Sequence, residues 1–211
     1  MAQERNWQFY TVAEGLTKTA SAIFQKVAGV AMNSGSLAMI YSLGIGVLQI
    51  IAGIIGMRVK AGNENRAEVS FEFRQILWPV AFGFFASLAN ISGPLAFMHD
   101  ADLTARTLIV LCSIIPGTFI GMAFFGERYD FWQWLGIGVF LFAVWAILNF
   151  PRWDISSGEV PIWVWITLVP LFTNAINEGL TKKAAVKLDI WSNSFWIGVS
   201  TVIWSQIFLF V

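Results

Sequence analysis

Glu14, Lys18, Ser21 and Gln25 recur at steps of four, three and four residues, which places four polar side chains on one stripe of a helix. Val12, Leu16, Ile23 and Val27 fall on the other side. An acid four residues before a base is the favourable order for an intrahelical pair. Two chemistries fit this stripe. In one, Glu14 and Lys18 neutralise each other and make the helix tolerable in lipid. In the other, Glu14 titrates and couples proton movement to solute movement, because a desolvated carboxyl holds its proton more readily.

Glu178 and Lys182 repeat the same spacing near the other end of the chain. Asn174 and Asn177 lie about one turn before them and are expected to share the face of Glu178. Amides within a span either bond between helices or meet a solute. A third group is Ser87, Asn90, Ser92, Gly93 and Pro94. Pro94 frees a backbone carbonyl, which is tolerated in a membrane where it lines a cavity or is buried in protein. The candidate solute-contacting set is therefore Glu14, Lys18, Asn90, Asn174, Asn177 and Glu178. Glu127 is expected to tie helix ends together, with Asp130 as the N-cap of the following helix.

Other chemistries find no residues here. No nucleophile, base and orienting group come together, so an enzyme is not expected. The glycine pairs Gly44, Gly46 and Gly136, Gly138 sit inside apolar runs, where they serve packing and not phosphate binding. One histidine, His99, and one cysteine, Cys112, give no zinc set and no intrachain disulfide. No cofactor is expected. Thirteen basic residues balance thirteen acidic ones, so no surface of nucleic-acid-binding density is present.

The elements that must hold these residues are set by composition. Of 211 residues, 57% are hydrophobic and 12% charged, with a mean hydropathy of +0.67. A soluble domain carries about 25% charged residues. Long uncharged runs of the length that crosses hydrocarbon point to an all-α, polytopic membrane bundle. Seven spans are expected, at 7–29, 35–57, 76–98, 104–125, 131–150, 162–182 and 191–211. The polar first segment is either a span with one wet face or an amphipathic helix on the surface; the span is preferred. Segment 58–74 is the most hydrophilic linker. Basic residues collect on one side if the N-terminus is cytoplasmic: Arg5, the 58–74 cluster, Arg128, Lys182, Lys183 and Lys187, against Arg152 and the span-edge Arg106. No cleavable leader is visible at the N-terminus.

Residues 113–148 read SIIPGTFIGMAFFGERYDFWQWLGIGVFLFAVWAIL. Pro116 within a span, then Gly126-Glu127-Arg128, Gln133 and Gly136, then an apolar helix, resemble the end of a repeat in the EamA-type branch of the drug/metabolite transporter superfamily. Residues 1–150 fit that five-helix repeat more loosely. The resemblance implies ten helices in two repeats of opposite topology around a solute path. On that pattern 151–161 is an outer linker, and 162–211 holds the first two helices of a second, incomplete repeat. Missing C-terminal helices or a homodimer would complete the path. Ala13-Glu14 is also similar to the coupling site of small multidrug resistance proteins, of the same superfamily. The pentapeptide EGLTK occurs at 14–18 and again at 178–182, although pairing Lys26 with Lys183 aligns the repeats better.

The expected function is transport of small organic metabolites or drugs by alternating access across a bacterial inner membrane, with protons as a candidate coupling ion. The alternative is a non-transporting membrane subunit or regulator.

Overall fold

The computed structural model describes residues 36–63, 73–148, 160–185 and 188–209, together with Ile23, Lys26 and Val27. Glu14 and Lys18, and with them the expected span at 7–29, lie outside the described residues. The described chain is helical and contains no strand: α1 (Ser36–Asn63), α2 (Phe73–Met98), α3 (Leu103–Leu111), α4 (Ile114–Phe125), α5 (Phe131–Leu148), α6 (Ile162–Ala185) and α7 (Ile190–Leu209). Three stretches are long and apolar enough to cross a membrane: Ala38–Val59, Gln75–Met98 and Leu103–Phe125. Phe131–Ala146 is apolar but shorter. Helices α6 and α7 have 24 and 20 residues, yet polar side chains interrupt them.

Helix α1 overruns the expected end at 57. Nothing in Arg58-Val59-Lys60-Ala61 breaks a helix, so it continues to Asn63 after the apolar run has stopped. The stretch 104–125 is divided. Pro116 has no N–H to give to the carbonyl of Cys112, which accepts from Ile115 at 3.0 Å instead. The tightened turn at Cys112 and Ser113 separates α3 from α4.

Helices α1, α2, α6 and α7 form the body, with α3 and α4 laid against α6. The α1–α7 crossing is antiparallel and built on glycine. A Cβ on Gly46 would meet Val202 Cγ2 at 2.8 Å and the Gly198 carbonyl oxygen at 3.0 Å. A Cβ on Gly198 would meet the Gly46 carbonyl oxygen at 2.6 Å and the Ile50 nitrogen at 2.7 Å. The contact is reciprocal, and both helices read Gly-Val-x-x-(Ile or Val) there. Lipid tails are as apolar as leucine, so such close backbone approach, and hydrogen bonds between helices, supply the attraction. Ser42 and Ser205 are joined at 2.6 Å, and Ser194 Oγ donates to the Gln49 carbonyl at 3.2 Å.

Helix α2 lies parallel to α7. Ser200 Oγ donates to the Val80 carbonyl at 2.7 Å, Ser87 Oγ reaches both the Gly83 and Thr201 carbonyls, and Phe84 packs edge-on against Trp204 at 4.8 Å. At the far end of α2, Ala96, Phe97, Ala101, Ala105 and Trp163 close a small apolar core between α2, α3 and α6. Helix α5 keeps most of its surface uncovered, with Phe131, Trp132, Val139, Phe142 and Trp145 all exposed.

Candidate functional site

A cleft of about 390 Å³ opens between α4, the start of α5 and the last turns of α6. The sequence makes room for it. Gly117 and Gly121 sit one turn apart on α4, and each occupies the place where a side chain would strike an acid. A Cβ at Gly117 would come within 3.0 Å of Glu178 Oε2, and one at Gly121 within 2.5 Å of Glu127 Oε2. Thr118 turns its hydroxyl back to the Ile114 carbonyl at 2.7 Å, a bond that leaves the wall smooth. Ile120, Phe125 and Ile137 supply the apolar lining.

The turn that closes α4 positions the acid. Gly126 adopts φ +65° and caps the helix, a left-handed conformation that glycine enters without steric cost. The chain then reverses through Glu127, Arg128 and Tyr129 to Asp130. Asp130 and Gln133 cap α5 reciprocally: Gln133 N–H donates to Asp130 Oδ1 and Asp130 N–H to Gln133 Oε1, each at 2.8 Å. Gln133 lines the cleft but its amide oxygen is held by the cap.

Glu127 Oε2 accepts from the Tyr129 hydroxyl at 2.9 Å, and Oε1 accepts from Lys182 Nζ at 2.5 Å. The Lys182 bond first, and the Tyr129 bond second, hold the Glu127 carboxyl below the usual carboxylate range. Desolvation, then the neighbouring carboxylate, push the Tyr129 phenol up from its usual value. Lys182 and Lys183 also lie over the Phe125 ring, at 5.6 and 5.2 Å from its centroid. The arrangement can hold a polar or charged solute beside Glu178 and Lys182 while apolar groups contact its remainder.

Of the expected solute-contacting residues that are described, Glu178 alone lines this cleft. Asn90 and Asn174 are half-buried on α2 and α6 and are not among the residues that line it. Asn177 does not share the face of Glu178: its side chain is 7% exposed, whereas Glu178 is exposed, because neighbouring positions on a helix point about 100° apart. Asn177 Oδ1 is buried without a hydrogen-bond partner among the described residues. Lys182, expected beside Glu178, gives its hydrogen bond to Glu127, with the charge of Glu178 close enough to act on it. Tyr129, Gln133 and the Gly117–Gly121 pair were not among the expected site residues. Their signal was present as Gly-Glu-Arg-Tyr followed by an apolar helix, but nothing local shows that this turn meets α6. No group of three or more metal-ligating side chains occurs among the described residues.

Compared with protein-family models, with curated protein sequences and with solved structures, the chain matches none of them.

Proposed function

We propose that the chain is a membrane transporter of small organic solutes that works by alternating access, of the EamA type within the drug/metabolite transporter superfamily. The cleft carries this reading. Glu178 and Lys182 face a space of small-molecule size, about 390 Å³, in a bundle with three helices able to cross a membrane. Charged groups at such positions are costly in lipid and mark solute or ion paths. Two further observations support it. Contacts along α1, α2, α4, α6 and α7 give helix directions that alternate as a chain threading back and forth requires. The reciprocal Gly46–Gly198 contact between two antiparallel helices is compatible with an inverted repeat, whose axis would lie in the membrane plane. That crossing relates position i to i + 152, which differs from both the Lys26–Lys183 pairing and the EGLTK echo.

On this reading the seven expected spans all cross, α3 and α4 together making one of them, with the N-terminus and the Lys182 end in the cytoplasm of a bacterial cell and the cleft open to that side. Helices α6 and α7 tolerate their polar residues because these face α1 and α2 or the cleft. Glu14, Asn90, Asn174 and Asn177 line the path in other states of the cycle, and Glu14 carries the coupling proton.

The test is uptake into proteoliposomes of a panel of amino acids, sugars, nucleosides and organic cations. Glu178→Gln is expected to reduce the initial rate for the accepted solute on the order of 10–100-fold, as loss of one charged contact does. Uptake of no member of the panel favours the non-transporting subunit. Uptake unaffected by Glu178→Gln removes the cleft from the path.

A further inference from the structure

Arg106 is the most deeply buried charged side chain among the described residues, at 6% exposure. It sits one turn into α3, at the end of the bundle opposite the cleft. Part of its surroundings is apolar: it follows Ala105 of the Ala96, Phe97, Ala101, Ala105 and Trp163 core, and the guanidinium carbon lies 4.8 Å from the centre of the Phe97 ring, while Tyr41 of α1 is close enough to act on its charge. Its Nε is buried with no hydrogen-bond partner, and no ion pair to it is found among the described residues. The nearest acids in sequence are otherwise occupied. Asp102 spends its carboxylate on the cap of α3, accepting from Ala105 N–H at 2.9 Å, and Asp100 is exposed.

A buried charge left unpaired costs several kcal/mol, and the described residues supply Arg106 with no counter-charge. The geometry says what would supply one. Stacking on Phe97 uses the face of the guanidinium and leaves Nε–H, in its plane, without a partner among the described residues. Two parallel N–H donors in one plane match a carboxylate or phosphate and little else. We propose that Arg106 anchors an oxyanion site, taking the carboxylate or phosphate group of a solute or of a lipid headgroup at the end of the bundle remote from Lys182. The site does not depend on solute flux: it would bind an oxyanion in a chain that transports nothing.

The experiment uses the full chain in dodecyl maltoside, which has neither charge nor phosphate, and follows thermal unfolding by circular dichroism. Three conditions are compared at equal ionic strength: chloride alone, inorganic phosphate, and mixed micelles containing phosphatidylglycerol. Phosphate or phosphatidylglycerol, at about 100-fold its dissociation constant, is expected to raise the midpoint of the wild type by roughly 5–10 °C. The shift disappears in Arg106→Met and is reduced in Arg106→Lys, which keeps the charge and loses the fork. A response to phosphatidylglycerol alone assigns the oxyanion to lipid; a response to phosphate assigns it to a soluble group. In chloride, Arg106→Met is expected to be at least as stable as the wild type, because an uncompensated charge has been removed. A marked loss of stability in chloride means that the chain itself pairs Arg106 and overturns the proposal. So does an equal shift in wild type and variant, or no shift with either anion.

Discussion

Lys182 Nζ meets Glu127 Oε1 at 2.5 Å across 55 positions of sequence, and this bond ties the turn between α4 and α5 to the last turns of α6. It closes one wall of the cleft with a contact that protons can break.

The tie should loosen in acid. A carboxyl whose pKa is lowered on folding adds stability above its unfolded pKa and loses it as pH falls through the lowered value. Glu127 is such a group. Hydrogen exchange in the 126–130 turn is expected to speed up as pH falls below the usual carboxylate range, after correction for the intrinsic rate. Glu127→Gln should show the faster exchange at neutral pH and little further change. An unchanged acid limb in that variant would assign the effect to another carboxyl.

The turn itself depends on Gly126. Its φ of +65° costs a side-chain-bearing residue about 1–2 kcal/mol. Gly126→Ala is expected to lower the thermal midpoint by a few degrees and to displace Glu127 from Lys182, while Gly136→Ala, whose Cβ meets nothing within 4 Å, should leave the midpoint unchanged or slightly raised. Equal effects of the two changes would contradict the left-handed cap.

The α1–α7 crossing gives a sharper contrast. Gly198→Ala places a Cβ against the Gly46 carbonyl at 2.6 Å, where only backbone can yield, and is expected to cost about 1–3 kcal/mol. Gly44→Ala, two residues from Gly46 on α1 but facing open space, should cost nothing. Denaturation of the two variants in mixed micelles checks the difference.

Ser42 and Ser205 offer a double-mutant cycle. Either single alanine leaves one buried hydroxyl without its 2.6 Å partner and should cost about 1 kcal/mol. The double variant should cost less than the sum of the two, and strict additivity would mean that the hydroxyls do not bond.

How far the sequence could be read is clearest at these same residues. The helices at 76–98, 131–150 and 162–182 stand within a few residues of Phe73–Met98, Phe131–Leu148 and Ile162–Ala185. Hydropathy reports where a chain leaves water, and that is a local property. The Asp130 cap was legible for the same reason, since it acts within one turn. Face and partner were not. Asn177 and Glu178 are adjacent in sequence, yet one is buried and the other borders the cleft.

Composition and local spacing alone settle that this chain is helical and that several of its helices can live in lipid. The apolar runs are uniform around their axes, so they carry no stripe to say which side meets which neighbour. Tertiary structure decides that through a few atoms: the absent side chains of Gly46 and Gly198, the hydroxyls of Ser42, Ser87 and Ser200, and the reach of Lys182 to Glu127. In a medium as apolar as the side chains themselves, shape and hydrogen bonds choose the partner, and both become readable only once the helices are side by side.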